Sequence, residues 1–437
     1  MPVRPKAPKL AFPIERVRLA NGLRVVLAPD KSSPAVAVAM FYDVGFRSEP
    51  EGRSGFAHLF EHLMFEGSAT LEKMEHARLV QGNGGTFNGS TSSDFTNYFE
   101  SLPSSALEMG LFLEADRMRA VRLSEETLEN QIAVVKEEIR VNVLNRPYGG
   151  FPWIFLPPVM FNTFNNAHNG YGSFEDLEAA TVDDAADFFQ RYYAPVNAVL
   201  AVVGDFEVDE ATALVQRHFG DLPSRPAPDR PRFSEPLPIA ERRALHRDTM
   251  APTPAVALGY RVPHPIVEVD DYLATIVLAD VLAEGRASRL YQRLVHDDRL
   301  VSHLSAYVGS FGNPFEMRDP TMLQMLAYYP PNVTAGAVID AVDEVVAETV
   351  AGLDDEEVER AATGLASNLA GRVDNFVQRA LTLAVMEQQR DRPELINELP
   401  GAVLDVTAKQ VTRAAEEWLR PSRRAVLELV PGPEPGA

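Results

Sequence analysis

The pattern of apolar and polar positions divides the chain into buried strands and amphipathic helices. Runs of Val, Ala and aromatic residues, such as SPAVAVAMFYDVG from Ser33 and TPAVALGYRVP from Thr253, predict strands. Segments 181–195 and 407–421 have apolar residues at helical spacing, start at a threonine and end before a proline. Both segments therefore predict helices with an N-terminal cap, and each is followed by another strand-like run.

These elements occur twice in the same order. Segments 181–195 and 407–421 align without gaps, and the strands from Ser33 and Thr253 are each followed by a helix that ends in Glu-Gly. Such self-similarity indicates an internal duplication. Because strands and long helices are mixed in both halves, we expect an α+β fold with two duplicated halves. Each half should have a mixed or antiparallel sheet with helices packed mainly on one face.

A proline-rich segment marks the boundary between the halves. The sequence LPSRPAPDRPRFSEPLP, residues 222–238, contains too many prolines for regular structure and predicts a linker. We therefore expect an N-terminal half over residues 1–221 and a homologous C-terminal half over residues 239–430. The remaining residues, 431–437, are expected to form a disordered tail.

The composition is that of a globular protein with a strong negative charge. Of the 437 residues, 46% are hydrophobic and 24% are charged, and the formal net charge is −21. This charge disfavours binding to nucleic acid or to an anionic membrane. No apolar run reaches membrane-spanning length, and the first residues lack the apolar core of a secretory signal, so we expect a cytoplasmic protein. Because cysteine is absent, any transition metal must be held by His, Asp and Glu.

Two histidines and a glutamate stand close together in the otherwise apolar segment GFAHLFEHLMFEG. On a helix, His58 and His62 would lie on one face with Cβ atoms about 5–6 Å apart, so both rings could bind one metal ion. Glu61 can reach the same side of the helix. The matching helix of the second half has Ile276 and Asp280 in place of the two histidines. Since the helix can be built without them, the sequence predicts a metal site in the first half only.

A catalytic zinc site needs about three protein ligands and an open position, so a third ligand must come from elsewhere. The best candidate segment is the helix predicted within residues 124–146. One stripe of this helix contains Gln131, Val134, Val135 and Glu138. A carboxylate on an apolar stripe is costly to bury unless a cation neutralises it. Glu138 is therefore the predicted third ligand, and Glu137, which points about 100° away, is the second choice.

With these residues in view, the chain resembles the M16 family of metallopeptidases, which includes pitrilysin, insulin-degrading enzyme and mitochondrial processing peptidase. HLFEH matches the inverted zinc motif H-x-x-E-H of that family. VVKEE matches the distal family segment in which the second glutamate, here Glu138, completes the zinc site with His58 and His62. The resemblance covers nearly the whole chain. It implies one bowl of two α+β units, as in single-bowl M16B-type subunits, with Glu61 as the general base.

The resemblance also implies a strand that binds substrate. The segment GGTFNGSTSSDFTNYFESLP, residues 84–103, is similar to a family segment in which an edge strand pairs with the substrate backbone. It would place Asn88 and Gly89 at the substrate, although the residues alone indicate only a glycine turn and a strand. Gln131 stands where many relatives have a glutamate that assists the metal site, so we expect it beside the metal ligands.

The C-terminal half departs from the family at two positions. Relatives carry an Arg and a Tyr seven residues apart, which reach the zinc site of the opposite bowl. The aligned residues here are Val295 and Ser302, while Arg293 and Arg299 are out of register. The resemblance therefore implies a heterodimer with a homologous subunit that supplies the Arg/Tyr pair.

The expected function is that of a zinc-dependent endopeptidase subunit that hydrolyses short or unfolded peptides inside a two-bowl chamber. Zn²⁺ would polarise the peptide and activate water, and Glu61 would accept the proton of that water. Two alternatives stay open. One is a non-catalytic, peptide-binding or structural subunit of the same family, which the missing Arg/Tyr pair favours and the intact metal residues oppose. The other is a metal-dependent hydrolase of a non-peptide substrate.

Overall fold

The computed structural model describes residues 10–231, 233–309 and 313–432. The strands are β1 (Glu15–Arg18), β2 (Arg24–Pro29), β3 (Ala35–Tyr42), β4 (Thr86–Thr91), β5 (Thr96–Pro103), β6 (Ala198–Gly204), β7 (Arg242–Asp248), β8 (Ala255–Arg261), β9 (His303–Val308), β10 (Met322–Tyr328) and β11 (Arg424–Pro431). The α-helices are α1 (Phe56–Leu63), α2 (Glu75–Gly82), α3 (Leu107–Arg119), α4 (Glu125–Ile139), α5 (Pro157–Met160), α6 (Phe164–Ala167), α7 (Phe174–Glu178), α8 (Val182–Tyr192), α9 (Val208–Phe219), α10 (Val269–Ala283), α11 (Ala335–Ala351), α12 (Asp355–Arg372), α13 (Phe376–Arg390), α14 (Leu395–Leu404) and α15 (Ala408–Trp418). In these ranges, none of the helices has both the length and the apolar character needed to cross a bilayer.

Each half contains one sheet, and the two sheets have the same topology. The first has the order β1-β2-β6-β3-β5-β4 and the second the order β7-β11-β8-β10-β9. In both sheets one parallel pair, β2 with β6 and β7 with β11, adjoins an antiparallel remainder. Apart from β1 the two orders correspond strand by strand, which confirms the duplicated α+β fold. The correspondence also makes β4 and β9 equivalent edge strands.

The two helices that first revealed the repeat begin in the same way. The hydroxyl of Thr181 accepts the backbone N–H of Asp184 at the start of α8, and Thr407 does the same for Gln410 at the start of α15. In both cases the third residue of the helix also bonds back to the backbone N–H of its threonine, which completes a capping box. The helix starts predicted from the threonines are therefore present in both halves.

Hydrophobic clusters shared by the two halves pack them against each other. Within the first half, α1, α3 and α8 pack on one face of the sheet, as expected from the sequence. The opposite face is covered by α13 of the second half, whose Leu383 and Ala384 join Ala39 and Phe41 in one cluster. In return, residues 151–161 of the first half pack on a face of the second sheet. Each half therefore buries a sheet face of the other, and this contact holds the two halves together.

The proline-rich linker is anchored to the first half. Its described residues, 222–231 and 233–238, form no helix or strand, but Phe233 is buried and its carbonyl accepts the side-chain amide of Asn166 at 2.8 Å. The disordered tail expected over 431–437 begins too early, because Pro431 is the last residue of β11 and the backbone N–H of Gly432 donates to the carbonyl of Asp248 at 3.0 Å. Residues 433–437 lie outside the described residues.

Candidate metal centre and active-site cleft

Helix α1 carries His58, Glu61 and His62, and a buried carboxylate fixes its N-terminus. Glu49 accepts the backbone N–H groups of Gly55 and Ala57 at 2.9 and 2.7 Å. A negative charge at this end of a helix satisfies free N–H groups and interacts favourably with the helix dipole. The geometry depends on Gly55, which has φ 83° and lies so close to a neighbouring loop that an added Cβ would stand 2.4 Å from a carbonyl oxygen.

The structure brings the three predicted metal ligands together. Oε2 of Glu138, on α4, lies 3.6 Å from Nε2 of His58 and 3.3 Å from Nε2 of His62. One ligand atom of each of the three residues lies within 4.8 Å of the others. Both imidazoles thus point Nε2 at the same carboxylate oxygen, Oε2 of Glu138. Two imidazole nitrogens and one carboxylate oxygen are a donor set that suits Zn²⁺, so the residues fit this ion.

The electrostatics of the site favour the metal-binding protonation states of His58 and Glu138, but not that of His62. Burial, helped by the charge of His62, lowers the pKa of His58 to about 4, so its imidazole is neutral at physiological pH. The hydrogen bond from His62 and the charge of His58 lower the pKa of Glu138 to about 2. Burial also acts to lower the pKa of His62, but its hydrogen bond to Glu138 and the charge of Glu61 outweigh it and raise the pKa. His62 is therefore the ligand whose proton competes most with a metal.

Glu61, the predicted base, is held between α1 and the edge strand β4. Its Oε2 accepts the hydroxyl of Thr91 at 2.7 Å. Burial raises the pKa of Glu61, against the opposing effects of this hydrogen bond and of the charge of His62. A Cβ on Gly89 of β4 would lie 3.1 Å from Cγ and 3.2 Å from Oε1 of Glu61. The absence of a side chain at this position lets the strand approach the carboxylate closely.

Glu137 and Glu138, which are adjacent on α4, have different surroundings. Glu137, the second choice for the third ligand, is exposed and pairs with Arg140 at 3.0 Å, away from the histidines. The buried residues of α4 include Gln131 and Val135, but Val134, expected on the same stripe, is 43% exposed. The buried stripe is thus narrower than the spacing suggested, and Glu138 lies at its border, with its side chain 31% exposed, rather than inside the core.

Gln131 lies beside the metal ligands, at the position expected from the resemblance. Its amide Nε2 donates to Oε1 of Glu66 at 2.7 Å, and Oε2 of Glu66 is 2.7 Å from Nζ of Lys73. A hydrogen bond with Gln131 also contributes to the raised pKa of His62. A neutral amide can donate to Glu66, whereas a glutamate at this position would place two carboxylates together. Gln131 thus binds Glu66 without placing a second negative charge beside it.

The structure adds orienting residues that the sequence analysis missed. The hydroxyl of Tyr171 donates to Oε1 of Glu138 at 2.9 Å, and Nδ2 of Asn142 lies 3.4 Å from the same oxygen and 3.2 Å from the tyrosine hydroxyl. Asn142 follows Glu138 by one helical turn, a spacing that could have identified it. Tyr171 comes from a distant loop, and no periodicity or motif points to it.

The metal centre opens into a cleft of about 590 Å³. The residues that line the cleft are Phe46, His58, Glu61, Gly89, Ser90, Thr91, Trp153, Gly170, Tyr171 and Tyr307. Gly89 is thus placed at the site, as the resemblance implied. Asn88 is exposed and is not among the lining residues, and its Oδ1 accepts the N–H of Gly89 at 3.0 Å.

A second group of possible ligands lies behind the edge strand. His76, Glu100 and Glu114 are buried and hold one potential ligand atom each within 4.8 Å of the others. The guanidinium of Arg117 is also buried here, in contact with Glu114 and 3.4 Å from Oε1 of Glu100. Arg117 already supplies the positive charge that these carboxylates need, so the cluster is a structural ion network.

Comparison with known proteins places this geometry in a family. The model described as "Insulinase (Peptidase family M16)" matches residues 24–147, and the model described as "Peptidase M16 inactive domain" matches residues 179–365. The first match contains the three candidate metal ligands and Glu61, and the two matches together extend over more than half of the chain.

Individual relatives agree with the family models. A zinc protease, PqqE, of Helicobacter pylori is 29% identical over 436 residues, which is 95% of this chain and 93% of that protein. The crystal structure of a protease from Helicobacter pylori has a TM-score of 0.89 and 27% identity, covering 96% of this chain and 100% of that one. The first half of the periplasmic protease PqqL from Escherichia coli has the same fold, with a TM-score of 0.75, 21% identity and coverage of 98% and 93%. The chain belongs to the M16 family of peptidases.

Proposed function

We propose that the chain is the metal-carrying subunit of a zinc-dependent endopeptidase that hydrolyses short or unfolded peptides. The observation that carries the proposal is the convergence of His58, His62 and Glu138 beside Glu61, in a cleft bordered by the edge of a sheet. The donor set suits Zn²⁺, and relatives named zinc proteases support this choice of metal.

The chemistry divides between the metal and one side chain. Zn²⁺ held by the two histidines and Glu138 would act as a Lewis acid that polarises the peptide carbonyl and the attacking water. Glu61 accepts the proton that the water loses as it attacks the carbonyl carbon, and donates this proton to the amide nitrogen as the C–N bond breaks. Burial raises the pKa of Glu61, which brings it closer to neutrality and assists both transfers.

The edge strand supports a peptide as the substrate. β4 is the outermost strand of the first sheet and pairs with β5 on one side only. The backbone groups on its other side can therefore pair with an extended peptide. Gly89 allows such a peptide to approach Glu61 closely. Pairing through the backbone accepts many sequences but requires an extended chain, which favours short or unfolded peptides over folded proteins.

The second half supports the need for a partner. The hydroxyl of Ser302 donates to the carbonyl of Tyr328 at 3.2 Å, and Val295 packs against the core. Neither residue offers the guanidinium or phenol that relatives extend towards an opposite bowl. The fold also corresponds to the first half of a longer protease. We therefore propose a heterodimer that forms a two-bowl chamber, in which a homologous subunit supplies the Arg/Tyr pair.

Elemental analysis tests the metal site independently of any partner. The wild-type chain should contain one zinc per chain after purification without chelators, and Glu138→Gln should lose most of it. Glu137→Gln, one residue away on the exposed side of α4, is the matched control and should keep its zinc. Absence of zinc from the wild type, or equal zinc in both variants, would contradict the site.

A peptidase assay tests the partner separately. The purified chain alone should hydrolyse a quenched oligopeptide slowly, and addition of a homologous subunit that has the Arg/Tyr pair should raise turnover. Full activity of the isolated chain, with no gain on addition of such a subunit, would contradict the heterodimer but leave the metal site intact.

A further inference from the structure

Among the described residues that line the cleft, one belongs to the second half of the chain. The lining residues on β4 are Gly89, Ser90 and Thr91, whereas Tyr307 lies on β9, the edge strand of the second sheet. The equivalent edge strands of the two sheets therefore both contribute residues to this cleft. The family model that matches residues 179–365 is described as inactive, yet Tyr307, which lies in that range, reaches the site.

Strand register shows which position Tyr307 occupies. Asn88 stands opposite Phe99 on β5, which stands opposite Ala39 on β3. In the second sheet Tyr307 stands opposite Gln324 on β10, which stands opposite Gly259 on β8. Positions 39 and 259 correspond in the repeated strand sequences PAVAVA and PAVALG. Tyr307 is therefore the counterpart of Asn88.

The two counterparts serve the cleft differently. Asn88 is exposed and outside the lining, whereas Tyr307 is partly buried and faces the cleft. Burial, and to a smaller extent the neighbouring Tyr328, raise the pKa of the Tyr307 phenol to about 12, so it stays a neutral hydrogen-bond donor at physiological pH. A phenol offers both a flat apolar face and a polar tip, which suits contact with a peptide.

The aromatic residues that line the cleft together with Tyr307 indicate what the phenol would contact. Phe46, Trp153 and Tyr171 come from the first half, and Glu61, which is engaged with Thr91, is the only carboxylate among the described lining residues. A cationic side chain would lose its hydration without gaining a free acidic partner, whereas an apolar one would lose only its contact with water. The aromatic lining of the cleft therefore favours an apolar side chain of the substrate, despite the chain's net charge of −21.

We propose that Tyr307 is a substrate-contacting residue that selects peptides with an aromatic or large aliphatic side chain facing it across the cleft from β4. This inference rests on the proposed peptidase function. It gives the second half of the same chain a direct part in specificity, in addition to whatever an opposite subunit contributes.

Peptide binding to a catalytically silent chain tests the proposal. In a Glu61→Gln background, the affinity of short labelled peptides would be measured by fluorescence anisotropy, with a Phe or an Ala placed at each position in turn. At one peptide position, the Glu61→Gln parent should bind the Phe peptide about tenfold more tightly than the Ala peptide. Tyr307→Ala should reduce this preference to about twofold or less, and Tyr307→Phe, which keeps the ring, should retain most of it.

His303→Ala is the matched control, since His303 is exposed on the same strand and does not line the cleft. It should leave the preference unchanged, and all variants should keep equal zinc. If Tyr307→Ala discriminates Phe from Ala as well as the parent does, the Tyr307 contact is wrong while the peptidase function stands. If the zinc-loaded parent binds none of the peptides even after addition of a homologous subunit that has the Arg/Tyr pair, both proposals fail.

Discussion

The hydroxyl of Tyr171 donates a hydrogen bond of 2.9 Å to Oε1 of Glu138, while Oε2 of the same carboxylate faces His58 and His62, the two candidate histidine ligands. One oxygen is thus fixed by the protein so that the other is presented to the metal. Residues that orient a ligand in this way typically affect metal affinity almost as strongly as the ligands themselves.

Tyr171→Phe should therefore weaken zinc binding by about tenfold without unfolding the protein. Competition with a chromogenic chelator would measure the affinity, and circular dichroism would verify the fold. Tyr291→Phe, which also removes a hydroxyl but lies in the second half, is the control. Equal zinc affinity in the wild type and Tyr171→Phe would show that Glu138 needs no such support.

The candidate metal ligands and the orienting residues differ in how far the sequence reveals them. His58 and His62 are one helical turn apart, and Glu138 lies near an apolar stripe, so local spacing was enough to predict that these three side chains come together. Tyr171 acts through a hydrogen bond to Glu138 that forms only after a distant loop packs against α4. Glu49 is only six residues from Gly55, but its hydrogen bond depends on the turn that precedes α1. Neither contact follows from hydrophobic periodicity, and neither was predicted.

The same division holds for the fold. The repeated strand and helix patterns predicted two α+β halves, because each pattern depends on neighbours in sequence. The packing of α13 against the first sheet depends on how the halves meet, which the periodicity of neither half determines. The placement of Tyr307 in the cleft has the same origin. The cytoplasmic location and the partner subunit stay predictions.

The hydrogen bonds of Glu49 to the N-terminus of α1 should contribute measurably to the free energy of unfolding. Glu49→Gln keeps the shape of the side chain but leaves one oxygen to accept the N–H groups of Gly55 and Ala57, so one buried donor loses its partner. We expect the free energy of unfolding, measured by urea denaturation of the metal-free protein, to fall by about 1–3 kcal/mol. Glu51→Gln, at an exposed neighbouring position, should change it little. An equal effect in both variants would contradict the anchor.

The pH dependence of zinc binding should reflect one histidine. The pKa of His62 is raised, whereas those of His58 and Glu138 are lowered to about 4 and about 2. A proton must leave a histidine before it can bind metal, so on acidification His62 should compete first. Between roughly pH 5 and 7, log Kd for zinc should rise by about one unit per unit of pH decrease. A slope of about two would mean that His58 also titrates in this range.

The close approach of β4 to Glu61 predicts a separation of binding from turnover. In Gly89→Ala the new methyl group would stand 3.1 Å from Cγ of Glu61 and displace the carboxylate. Peptide turnover should fall on the order of tenfold to a hundredfold while zinc content is unchanged. Gly82→Ala, where an added Cβ meets no atom within 4 Å, is the control. Wild-type turnover in Gly89→Ala would show that the strand does not constrain Glu61.

The central claim is that Glu61 moves the proton in a zinc-dependent peptide hydrolysis. Steady-state turnover of a quenched oligopeptide by wild type and Glu61→Gln tests it most directly, with zinc content measured in the same samples and a homologous subunit added if the isolated chain is slow. The account predicts equal zinc in both proteins and a turnover lower by about 10²- to 10⁴-fold in the variant. A Glu61→Gln enzyme that binds zinc and hydrolyses the peptide at the wild-type rate would contradict it.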